Sequence, residues 1–210
     1  MRNDTNATYY YPNHLGRILL QAMEEVLGRN GVIAVLKQAR LDTRINNYPK
    51  SNLDKKFRFD EVSQIQNALE ASYGIRGGRG LALREGRVCF KIILRELGVE
   101  IGLTELASHP RPVDEKVRMT LEILAELFNK YSDQQVVVSQ TGMKYLWTVN
   151  RCPFCWHLRV EDPICLQQVG LLQEALYWVS SGKFYSVEEV DCIGKGDKAC
   201  VIVVDQRPLE

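Results

Sequence analysis

The chain lacks a surplus of charge of either sign. Its 210 residues carry 27 Lys and Arg against 26 Asp and Glu, a formal net charge of +1, so no global field draws it toward nucleic acid or an anionic membrane. It has no apolar run near the roughly 18 to 20 residues of a bilayer crossing, and MRNDTNATYYYPN at its start has no apolar signal-peptide core. The expected location is cytoplasmic, with no membrane span and no nucleic-acid partner. Histidine is scarce, at three residues: His14, His109 and His157. No serine sits in a G-x-S-x-G setting. Glu188 and Glu189, as neighbours on a strand, point to opposite faces, so neither a nucleophilic triad nor a carboxylate dyad assembles. GKGDK at 194–198 lacks the rest of a phosphate loop and leads into a strand. RGGRG at 76–80 follows a helix where a dinucleotide fingerprint needs a strand, and reads as a flexible helix connector. No catalytic residue is expected.

What is present divides at about Ser132. Before it, apolar residues recur at helical spacing: Leu15 to Leu27 with Gly28 closing the run, a shorter helix through Ile33 and Leu36, a helix begun at Asp60, another carrying Val88 to Leu97, and one over Val113–Tyr131. The segment 43–56 is polar and aperiodic and reads as a loop, and the N-terminus as loose. After Ser132, QVVVSQ and KYLWTV form a hairpin and a helix runs from about Asp162 to Ser180. FYSVEEVDCI and ACVIVVD form a second hairpin around GKGDK. The expected fold is α+β, a small four-stranded antiparallel sheet packed with helices beside a helical N-terminal half. Within one compact domain, the helices of residues 1–132 would cover the sheet's other surfaces or a dimer partner, and residues 133–210 would carry the hairpin-helix-hairpin.

Six cysteines in a chain of this class are thiols, metal ligands or redox groups before they are disulfides. Cys192 and Cys200 lie on opposite arms of the last hairpin, and Cys165 falls in the first turn of the preceding helix, where the dipole favours a thiolate. Glu189 stands three residues before Cys192, so strict alternation sends it to the other face unless a bulge brings it round. Three thiolates and a carboxylate make a closed, structural zinc set; the same residues also read as buried core thiols. Cys152 and Cys155 in RCPFCWH form a C-x-x-C that suits zinc better than redox chemistry here, with His157 a further candidate ligand. Cys89 lies on an apolar helix face as core. The aromatics Tyr145 and Trp147 share a strand face, and Tyr177 lies on the covering helix. They read as core or, if incompletely filled, as the wall of an apolar ligand pocket.

CPFC at 152–155, PIC at 163–165, Gly170, ALYWVSSGKFYSVEEVDCIGKGDKAC at 175–200 and VIVV at 201–204 together resemble the 4-vinyl-reductase-type domain, a small-molecule-binding family. The likeness is most specific over Glu161 to Val204. It implies a fold shared with the sensors of aromatic-responsive regulators and distantly with vesicle-tethering (TRAPP) subunits. It also implies zinc on Cys165, Glu189, Cys192 and Cys200, an apolar cavity beside the metal and a homodimer through the N-terminal helices. The expected function is a sensor or carrier for a small hydrophobic or aromatic ligand. The alternative is an enzyme or accessory factor of tetrapyrrole (bacteriochlorophyll) metabolism with a porphyrin-like substrate, although no cofactor fingerprint able to supply a hydride is present.

Overall fold

Two glycines bend the helical half into place. In the computed structural model, which describes residues 7–209, helix α1 (Asn13–Gln38) breaks at Gly28, with φ 69° and ψ 165°. Helix α2 (Phe59–Leu97) breaks at Gly74, with φ 72° and ψ 163°. Only glycine takes such angles without a steric penalty. Residues 1–6, part of the segment read for a signal peptide, lie outside the described residues. The first break falls where the sequence places it. The second corrects the reading of RGGRG as a connector: Gly77, Gly78 and Gly80 continue the helix, and the chain bends before them. Gly78 is needed for contact, since a Cβ there would stand 2.7 Å from the Cα of Glu70.

The segments read as loose contribute a small sheet. Strand β1 (Tyr10–Pro12) pairs antiparallel with β2 (Lys55–Arg58), Tyr11 opposite Phe57. Asp133 anchors it by accepting the Tyr10 N–H at 2.9 Å. Strands of three and four residues are too short to show a period, which is why the pattern missed them. A short helix α3 (Leu103–Ser108) then leads to α4 (Val113–Tyr131), whose apolar stripe at Val117, Leu121, Leu124 and Phe128 is buried.

The C-terminal part forms the sheet. Strands β3 (Val136–Thr141) and β4 (Lys144–Val149) make the first hairpin, helix α5 (Leu166–Val179) follows, and β5 (Tyr185–Asp191) and β6 (Cys200–Pro208) make the second. All pairings are antiparallel, in the order β3-β4-β6-β5. The fold is therefore α+β: a four-stranded antiparallel sheet packed with helices, beside a helical N-terminal half. Helix α5 starts later than its periodicity suggests, because Pro163 and the capping residue Cys165 keep 162–165 out of helix.

Helix α5 packs directly onto α2. A Cβ on Gly86 would collide with the carbonyl oxygen of Gln167, and one on Gly170 with that of Leu83. The two helices cross backbone to backbone, each supplying one glycine. No helix among the described residues is long and apolar enough to cross a membrane.

Candidate metal centre and adjoining cavity

Strand β5 carries the bulge that the cysteine spacing requires. Glu189 pairs with Ile202 and Asp191 with Val201, so two residues advance against one and Val190 is the extra, solvent-facing residue. Past a bulge the alternation changes phase. Glu189 and Cys192, three apart in sequence, therefore face the same interior, and both are buried. Cys192 then enters a tight turn in which its N–H donates to Asp197 Oδ2 at 2.9 Å and Gly196 takes φ 107°. GKGDK is thus the turn of a hairpin.

The turn brings Cys200 back beside Cys192, and the N-terminus of α5 adds Cys165. Cys165 is the capping residue, one position before the helix, and its N–H donates to Glu189 Oε2 at 2.7 Å. Its Sγ lies 3.9 Å from that of Cys192 and 3.8 Å from that of Cys200. The donor atoms of Cys165, Glu189, Cys192 and Cys200 all lie within 4.8 Å of one another, and all four residues are buried. Glu189 Oε1 has no hydrogen-bond partner. For a zinc–sulfur bond of about 2.3 Å, the sulfur–sulfur edge of a regular tetrahedron is about 3.8 Å, so the spacing suits a tetrahedral zinc.

The C-x-x-C loop enters the same cluster. Cys152 Sγ lies 3.4 Å from Cys165 Sγ, and Cys155 Sγ lies 3.4 Å from Cys200 Sγ. Cys152, Cys155, Cys165 and Cys200 form a second converging quartet. Gly194 lets the loop dock, since a Cβ there would stand 3.2 Å from the Cβ of Cys155; the Val160 N–H also donates to the Gly194 carbonyl at 3.0 Å. No histidine takes part: His157 instead pairs with Asp60 at 2.9 Å.

The thiols of the cluster are not shifted alike. Burial pushes the Cys165 thiol well above its ordinary range, with hydrogen bonds to the neighbouring thiols adding to the rise, whereas Cys152, Cys155 and Cys192 lie below theirs. Burial and the nearby Cys192 likewise push the Glu189 carboxyl up to about 9. Buried anions need a cation, and a divalent metal would reverse both shifts.

The aromatic expectations divide. Tyr145 and Trp147 do share a buried face of β4, with Trp147 edge-on to Phe128 at 6.3 Å between ring centroids. Tyr177 does not join them. It lies one residue past the inward-facing Leu176, so it turns outward and meets the Phe184 ring at a tilt, 4.9 Å between centroids. None of the three lines the small cavity, of about 30 Å³, that opens between β1, α1, α2, α4, α5 and the C-x-x-C loop. Its walls are apolar (Leu15, Ile18, Leu19, Ile93, Phe128, Phe154, Leu171) apart from Tyr11, Cys89, Gln167 and Gln168. No signal in the sequence marks it, because its walls come from six separate segments.

Gln168 connects cavity and thiols. Its carbonyl accepts the Trp147 indole N–H at 3.1 Å, and its amide donates to Cys152 Sγ at 3.4 Å. Gln167 similarly donates to Cys89 Sγ at 3.5 Å.

No family model matches the chain. A curated uncharacterized protein of Methanocaldococcus jannaschii is 39% identical over 57 residues, which is 27% of this chain and 31% of that one. The match thus spans about a third of that relative's length. Among solved structures, the Fe(II) unliganded H-NOX protein from K. algicida superposes with TM-score 0.61 at 17% identity, covering 95% of this chain and 97% of that one. An H-NOX protein from S. oneidensis in the Fe(II)NO state gives 0.60 at 10%, covering 92% and 99%. The phenol-responsive sensory domain of the transcription activator PoxR, with phenol, gives 0.50 at 17%, covering 68% and 71%. At identities this low the likeness shows the fold alone.

Proposed function

We propose that the chain is a small-molecule-binding sensor or carrier of the 4-vinyl-reductase type, with a structural zinc centre fastening the last hairpin to α5. One observation carries the reading: the apolar cavity and the thiol cluster share Gln168, so a ligand that moves Gln168 acts directly on the metal's surroundings. The fold shared with a phenol-responsive sensory domain supports a small aromatic ligand. At about 30 Å³ the cavity is too small for such a ligand as it stands, well below the few hundred Å³ of an occupied ligand site. Binding therefore selects a conformation in which Leu171 and Phe154 part, and that shift is the signal. The protein works without catalysis, in the cytoplasm, as a homodimer joined through its N-terminal helices.

The tetrapyrrole alternative fits less well. H-NOX structures share the fold, but no histidine lines the cavity, and its volume is far below that of a porphyrin. The residues present do not offer a haem site.

The test is thermal denaturation of the zinc-replete protein with phenol, toluene and indole as probes. A probe at about a hundred times its Kd should raise Tm by roughly 5–10 °C, and Leu171→Trp, which fills the cavity, should abolish the rise. No shift with any probe in a protein that retains its zinc would defeat the sensor reading.

A further inference from the structure

The thiol cluster contains more ligands than one zinc uses. Cys165 and Cys200 belong to both converging quartets; Cys152 and Cys155 complete one, Glu189 and Cys192 the other. We propose that the cluster is a binuclear zinc centre, with Cys165 and Cys200 bridging the two ions and the other four residues as terminal ligands. The proposal rests on the zinc reading above and extends it to a second metal.

The geometry supports the pairing. Two tetrahedra sharing an edge need that edge at about 3.8 Å, and Cys165 Sγ and Cys200 Sγ are 3.8 Å apart. Of the other edges that reach the bridging sulfurs, Cys165–Cys192 is 3.9 Å and Cys152–Cys165 and Cys155–Cys200 are 3.4 Å, and all the donor atoms of each quartet lie within 4.8 Å of one another. Each zinc would have two terminal and two bridging donors, a closed set with no open position for water.

A single site on Cys165, Glu189, Cys192 and Cys200 leaves the sulfurs of Cys152 and Cys155 converging on two of its ligands with no ion of their own. Outer donors are already aimed at this half: Gln168 Nε2–H at Cys152 Sγ and the Ile193 N–H at Cys200 Sγ, 3.3 Å. Such hydrogen bonds orient coordinated thiolates and disperse their charge.

Native mass spectrometry of the full chain, purified without chelator, decides it. The wild type is expected to carry two zinc ions per chain, Cys152→Ser combined with Cys155→Ser one, and Cys89→Ser two. One zinc in both the wild type and the double variant would overturn the binuclear centre and leave the single-zinc reading standing. No zinc in any of them would overturn both, as would iron with acid-labile sulfide. Should the double variant fail to fold, cobalt(II) titration of the metal-stripped wild type decides. Thiolate-to-cobalt absorption that grows to the second equivalent supports the proposal, and saturation at the first overturns it.

Discussion

Cys192 and Cys89 are both enclosed thiols, and a substitution that is chemically identical at the two should have opposite consequences. Cys192 is flanked by other sulfurs and a carboxylate, whereas Cys89 meets the Gln167 amide among apolar walls. Cys192→Ser is expected to lower zinc content and, through loss of a structural metal ligand, to drop Tm by roughly 10 °C; Cys89→Ser should leave zinc content unchanged. Elemental analysis beside a melting curve checks both, and full zinc retention in Cys192→Ser would sink the site. Glu85 makes a separate residue-scale case. It is buried on α2 with Oε1 unpartnered, and burial pushes its carboxyl up to about 8. The folded state therefore holds a proton that the unfolded chain releases above about 4.5, so the stability contribution is full below that pH and is lost progressively up to about 8. Glu85→Gln should remove this fall and raise Tm at pH 8 by roughly 5 °C or more. Superimposable pH profiles for the two proteins would show that Glu85 has no such role. At this scale the sequence was informative about residue type and ambiguous about direction: it offered Glu189 as a ligand only on condition of a bulge, and Val190 provides that bulge. It could not decide how Cys152 and Cys155 are used, because their approach to Cys165 and Cys200 depends on a loop docking against Gly194.

Among the elements, α2 and α5 are the pair whose contact leaves no room for change. Gly86→Ala or Gly170→Ala would each force a methyl group into a carbonyl oxygen of the facing helix, and backbone cannot yield as a flexible side chain does. Each should lower Tm by roughly 5–10 °C, measurable by circular dichroism, whereas Gly80→Ala, with open space around its Cβ position, should be neutral or stabilising. Equal melting temperatures for all three variants would show that the crossing is looser than drawn. Helices α4 and α5 and both hairpins were legible because their apolar residues repeat at a fixed period over many positions. The β1–β2 pair was not, since its stability comes from long-range partners such as Asp133. The break in α2 was misplaced for a related reason: a glycine run looks like a hinge, but Gly78 is spent on helix contact and Gly74 on the turn.

For the whole molecule, the homodimer expected from the N-terminal helices is checked by light scattering of the eluting protein. Ile75, exposed beside the Gly74 bend, is the residue to charge. If the helices pair there, Ile75→Asp should convert a dimer to a monomer with zinc content intact, and a wild type that elutes as a monomer would remove the assembly from the proposed function. The fold class was readable from the order of helical and alternating segments. The cavity was not, because a void assembled from a strand, four helices and a loop has no local pattern.

The glycine crossing has a mechanical consequence. Around the two bare-backbone approaches at Gly86 and Gly170, side chains continue the seam along α5: Gln167 to Cys89, Gln173 to Arg87, Glu174 to Lys91 and Trp178 to Phe90. Helix α5 is therefore clamped to α2 along most of its length, and a displacement at its sulfur end has to carry α2 with it.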